Sequence, residues 1–117
     1  MVSQEEEDRI AIKLTDRFYE EYGDMLEKFG DRGKKHTRND IHHHFDYLKT
    51  SEKLNNKTVF IDYATWLNTV LTSRDVPTEL LMKNFEWIVE ELENHDDPPV
   101  FYIETLHLAI KELHEQE

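Results

Sequence analysis

The residues in this chain best suited to chemistry lie between positions 32 and 44. The run reads Arg32-Gly33-Lys34-Lys35-His36-Thr37-Arg38-Asn39-Asp40-Ile41-His42-His43-His44. It holds cations that pair with carboxylates, a hydroxyl, a carboxylate and several imidazoles. On a helix turning about 100° per residue, Thr37, Ile41, Phe45 and Leu48 share one stripe, flanked by Asp40, His44 and Tyr47. A flat apolar ligand lying on that stripe would meet a carboxylate and an imidazole at its rim. Its own anionic groups could reach Arg32, Lys34, Lys35, His36 or Arg38. The same spacing also describes a helix start, with Thr37 as N-cap and Asp40 closing a capping box. On spacing alone the cap is the better explanation of those two residues.

Other chemistries find less material. Three consecutive histidines point three ways around a helix, so His42, His43 and His44 cannot chelate together. The pairs His36/Asp40 and Asp40/His44 have a chelating spacing, but nothing else converges on them, and no metal site is expected. No nucleophile–base pair, glycine-rich phosphate loop or paired-carboxylate signature marks an enzyme, and no catalytic residue is assigned. Glu5-Glu6-Glu7 and Glu90-Glu91 read as solvated helix faces. His42 is expected to face water with Asp46 and Lys49, and His95, His107 and His114 to lie on the surface. Trp87 reads as core, whereas Trp66 divides evenly between core and ligand contact.

Composition narrows the class of partner. The chain has 117 residues, with 26 acidic against 14 basic side chains and a net charge of -12. That balance argues against nucleic acid and against anionic membranes, both of which need a positive surface. There is no cysteine, which removes disulfides, thiolate metal sites, thiol nucleophiles and thioether cofactor attachment. The acidic start, Met-Val-Ser-Gln-Glu-Glu-Glu-Asp, does not read as a signal peptide, and no apolar run is long enough to span a bilayer. A cytoplasmic location is expected.

The elements that must position these residues are helical. Apolar residues at Ile10, Leu14, Phe18, Tyr22, Met25 and Phe29 mark one face of a helix over about 4–29, opened by Ser3 and Glu6 as a capping box and ended by Gly30. A basic loop is expected over 30–36. A second helix follows over about 37–53, and Asn55-Asn56 breaks it. A third runs over about 58–74. A fourth covers about 77–94 with Pro77 in its first turn, and a fifth covers about 99–115 after Asp96-Asp97-Pro98-Pro99. The expectation is an all-α, globin-like single domain of about five helices spanning the whole chain.

Residues 31–45 resemble the chromophore helix of phycobiliproteins. In that family a basic approach leads into Cys-x-Arg-Asp, an apolar residue and paired aromatics. Phe60-Ile61-Asp62-Tyr63 is similar to the acidic residue and tyrosine that open the family's next helix, and Pro77 with the helices of Trp87 and Tyr102 fits its two closing helices. The likeness covers roughly residues 31–115, with the first helix standing for the earlier globin helices. The family's N-terminal extension has no counterpart. The chain looks closer to cysteine-free paralogues, the bilin biosynthesis-associated globins, and Tyr63-Ala64-Thr65-Trp66 with Thr72-Ser73-Arg74 also resembles sensor-like globin domains.

The resemblance implies a linear tetrapyrrole, a bilin such as biliverdin, bound without a covalent bond because Thr37 stands at the attachment cysteine. Asp40 falls on the aspartate that bonds the pyrrole N–H groups. Asn39 falls on the arginine that pairs with a propionate, a role that Arg38 would take, with His36, Lys34 and Arg32 nearby. His43 and His44 replace the two aromatics, and Tyr63 and Trp66 would close the pocket. No haem is expected, because the helix over 58–74 has no histidine to serve as proximal ligand. The implied role is a soluble carrier, store or sensor, with a homodimer and bilin-producing enzymes as implied partners. The alternative is a ligand-free globin-like sensor or protein-interaction module.

Overall fold

Ser3 sets the first element. Its backbone is extended, and its Oγ accepts a hydrogen bond from the Glu6 N–H at 3.2 Å. This is the expected cap, with Glu5, Glu6 and Glu7 in the first turn, where the helix dipole favours negative charge. The computed structural model describes residues 2–116, all-α, with no strand among the described residues.

Helix α1 (Gln4–Glu21) buries Ile10, Ala11, Leu14 and Phe18 along one stripe. It is shorter than its apolar pattern suggests. Tyr22 leaves helical geometry just before Gly23, a poor helix former, and the chain continues as the single turn α2 (Gly23–Leu26) and a 3-10 turn (Glu27–Phe29). Gly30 follows with φ +60°, a left-handed value that glycine adopts without strain.

That turn restarts the helix earlier than expected. Helix α3 runs Gly30–Lys53, so the basic segment over 30–36 forms its opening turns and not a loop. Lysine and arginine are good helix formers, and Asp31 sits favourably in the first turn. Gly30 does end the preceding turn, as expected, but it opens the next helix and not a loop.

The later elements lie close to their expected positions. Asn55, with φ 49°, turns the chain, and the Asn56 Oδ1 accepts from the Thr58 N–H at 3.0 Å to open α4 (Thr58–Ser73). Helix α5 (Thr78–Glu93) starts after Pro77, which is the N-cap and not the first helical residue. Helix α6 (Val100–Gln116) follows the two prolines.

The described chain divides into two compact units, one up to Phe45 and one from Asp46 onward. In the second, α6 packs against both α4 and α5. Phe60 of α4 meets Phe85 of α5 with ring centroids 5.4 Å apart. Lys57, just before α4, places its ammonium 4.6 Å from the Phe101 ring centroid and 3.5 Å from the Glu104 carboxylate. Among the described residues, no helix is long and apolar enough to cross a membrane.

Candidate functional site

In the first unit, α3 sorts the expected ligand residues by exposure. Arg32, Lys34, Lys35, His36, Arg38, Asn39 and His43 are exposed, Thr37 and Asp40 are half-buried, and Ile41, His44 and Phe45 are buried. Thr37 is not an N-cap. It lies two turns inside the helix, and its Oγ1 donates to the Gly33 carbonyl at 2.9 Å. Asp40 is likewise interior to α3 and closes no capping box. Moving the helix start from 37 to 30 removes the explanation that spacing alone had favoured.

His44 is a second correction. Helical spacing puts it at the rim of a pocket, yet its side chain is fully buried. Burial holds its imidazole neutral, lowering its pKa from 6.5 to about 3, with the nearby charge of His43 adding to the effect. His44 therefore belongs to the interior with Ile41 and Phe45, while His43 remains outside.

His42 does not simply face water. Its Nδ1 lies 2.9 Å from the Glu7 Oε1, and its Nε2 lies 3.5 Å from the Asp8 Oδ1. Glu7 is only 2% exposed, so Glu5-Glu6-Glu7 is not uniformly a solvated face. The signal was present in the sequence. Glu7 precedes Ile10, Leu14 and Phe18 at helical spacing, on the same apolar stripe. Among the described residues, no three His, Asp or Glu side chains converge as metal ligands.

Tyr19 is the residue that sequence reasoning missed. It comes from α1 and reaches α3 at Gly33, a buried glycine. The Lys34 ammonium lies 5.4 Å from its ring centroid, and the Thr37 hydroxyl is beside its phenol. Burial raises the pKa of the phenol, and the Thr37 hydroxyl opposes that rise. Two expected ligand contacts, Lys34 and Thr37, thus meet around a side chain of the protein itself. Beyond Tyr19, residues 19–25 line an open hollow of about 430 Å³.

In the second unit the structure brings Tyr63 and Trp66 together and adds Tyr47. Tyr47 and Tyr63 stack with centroids 4.0 Å apart and ring planes 11° from parallel. Trp66, 61% exposed, lies 6.5 Å from Tyr63. Trp87, by contrast, is 4% exposed and lies in the core, as expected. Helical spacing explains the arrangement: Tyr63 and Trp66 are three apart on α4, and Tyr47 reaches them from the last turns of α3.

Among known proteins, no family model, no curated protein and no solved structure matches this chain.

Proposed function

We propose that the protein is a binding protein and not a catalyst, and that its ligand is a linear tetrapyrrole held without a covalent bond. The observation that carries this reading is the exposed Trp66 indole beside the stacked pair of exposed Tyr47 on buried Tyr63. A large exposed aromatic beside a stacked pair offers a conjugated ligand a flat contact face at little ordering cost. The sequence resemblance, and not the placement of the two units, assigns Asp40 as counter-charge to pyrrole N–H groups and Arg32, Lys34, His36 and Arg38, with His43, as polar contacts to the propionates and the rim. Thr37, which stands at the position of an attachment cysteine, offers no thiol. The globin-like relationship and the carrier, store or sensor role belong to this proposal and follow from the sequence resemblance.

Titration with biliverdin tests it. A red-shifted, intensified visible band is expected, with quenching of tryptophan fluorescence that survives in Trp87→Phe and disappears in Trp66→Phe. A spectrum equal to that of biliverdin in buffer would sink the reading. The second reading, a protein-interaction module, is favoured by Leu54 and Val100, two exposed aliphatic side chains in the same unit. It predicts no spectral change with biliverdin.

A further inference from the structure

Three aromatic rings of this chain carry a lysine. The ammonium of Lys28 lies 5.2 Å from the Phe29 ring centroid, that of Lys34 5.4 Å from Tyr19 and that of Lys57 4.6 Å from Phe101. Trp66 offers a cation a better face than any of these, since indole attracts cations most strongly. It is 61% exposed, and among the described residues no lysine or arginine sits on it. Its own helix supplies none. Helix α4 bears one charged residue, Asp62, and no basic one. Asp62 lies four positions before Trp66, so the two share one stripe of α4, a turn apart, and both are exposed. The Asp62 carboxylate closes no ion pair among the described residues.

The indole is backed by Tyr63, 6.5 Å away, which itself stacks on Tyr47. A supported aromatic face with an unpaired carboxylate one turn away suits the guanidinium of arginine best. Its flat face can stack on the indole while its N–H groups donate to the carboxylate, whereas a lysine ammonium is a compact point charge with no face to stack. Charge agrees. The chain carries a net charge of -12, and most of that excess follows Asp46 in the sequence, so a basic partner is attracted and a second copy of this chain repelled. We propose that the Trp66–Asp62 face of α4 docks an arginine-bearing basic segment of a partner protein. The docking goes beyond the tetrapyrrole reading and does not rest on it. An arginine seated on the indole excludes a tetrapyrrole from the same face.

The test uses end-blocked tetra-arginine and tetralysine peptides, titrated into the full chain without biliverdin at about 150 mM salt, where long-range attraction is screened. Calorimetry gives the affinities, and far-ultraviolet circular dichroism verifies that each variant folds. Wild type should bind tetra-arginine about threefold to fivefold more tightly than tetralysine. Trp66→Ala should erase that preference. Asp62→Asn should weaken tetra-arginine binding about threefold, while Glu93→Gln, which removes the same charge from exposed α5 surface, should leave it nearly unchanged. Equal affinities for the two peptides in wild type, a preference that survives Trp66→Ala, or equal losses in Asp62→Asn and Glu93→Gln would each mean attraction to the acidic surface as a whole and overturn the docking site. Absence of binding overturns it too. Each of these results leaves the tetrapyrrole reading to its own titration.

Discussion

His42 and Glu7 join the middle of α3 to the first turn of α1, imidazole Nδ1 to carboxylate Oε1 at 2.9 Å. The carboxylate is nearly sealed from water, while the imidazole keeps partial access. A buried carboxylate that loses one of its hydrogen-bond donors recovers little from solvent. His42→Ala should therefore destabilise the protein by about 1.5–3 kcal/mol, the range for hydrogen bonds to charged groups. Urea unfolding measures it. In a double-mutant cycle, Glu7→Gln should absorb part of the cost, since the neutral amide needs the donor less. Additive single effects would show that the two side chains do not act as a pair.

Acid should weaken the fold through His44. Its folded value, about 3, lies below the ordinary 6.5 because burial excludes the cation. Between those two values the unfolded chain takes up a proton that the folded chain refuses. Stability from this residue is complete above about pH 6.5 and drains away as pH falls toward 3, at up to about 1.4 kcal/mol per pH unit. His44→Leu removes that proton-uptake site. The stability gap between the variant and wild type should shift in favour of the variant through this window. A gap independent of pH would mean that the folded protein protonates His44 freely.

The two tryptophans should separate stability from binding. Trp87→Ala empties a core position and should cost about 3–5 kcal/mol. Trp66→Ala trims an exposed ring and should cost about 1 kcal/mol or less, while abolishing or sharply weakening the biliverdin response. Thermal melts and ligand titrations on the same preparations give both readouts. A large loss of stability in Trp66→Ala would make that ring structural.

Asp40→Ala probes the proposed ligand chemistry directly. Asp40 closes no capping box, so no cap contribution is lost with it. If Asp40 faces the pyrrole N–H groups, the variant should bind more weakly and its long-wavelength band should move to the blue, because the counter-charge that favours the protonated chromophore is gone. An unchanged band would remove Asp40 from the site.

The helical periods of the second half were easy to read. Phe60, Leu67, Leu81, Phe85, Ile88, Leu92 and Leu106 all lie at helical spacing, and all are buried. Breaks at Asn55-Asn56 and Pro98-Pro99 carry their own turn chemistry. The first half misled for a local reason. Its apolar period passes through Tyr22, Met25 and Phe29 without a fault, yet the helix breaks there, and the glycines at 30 and 33 do not end α3. Gly33 is accommodated inside a helix because Tyr19 fills its notch, a tertiary contact that no local window contains. The pairing of Glu7 with His42, separated by 35 residues, is of the same kind. Exposure of Trp66 was equally hidden, since helical spacing places it near Tyr63 but does not say which side meets water.

The stacked pair Tyr47 and Tyr63 has a consequence of its own. Tyr47 lies in the later turns of α3 and Tyr63 lies within α4, so the two rings meet across the Asn55-Asn56 turn. Rings this close and this nearly parallel couple their electronic transitions, and fixed aromatic packing of this sort is what near-ultraviolet circular dichroism detects. The protein thus carries an intrinsic optical marker for the closure of one helical hairpin.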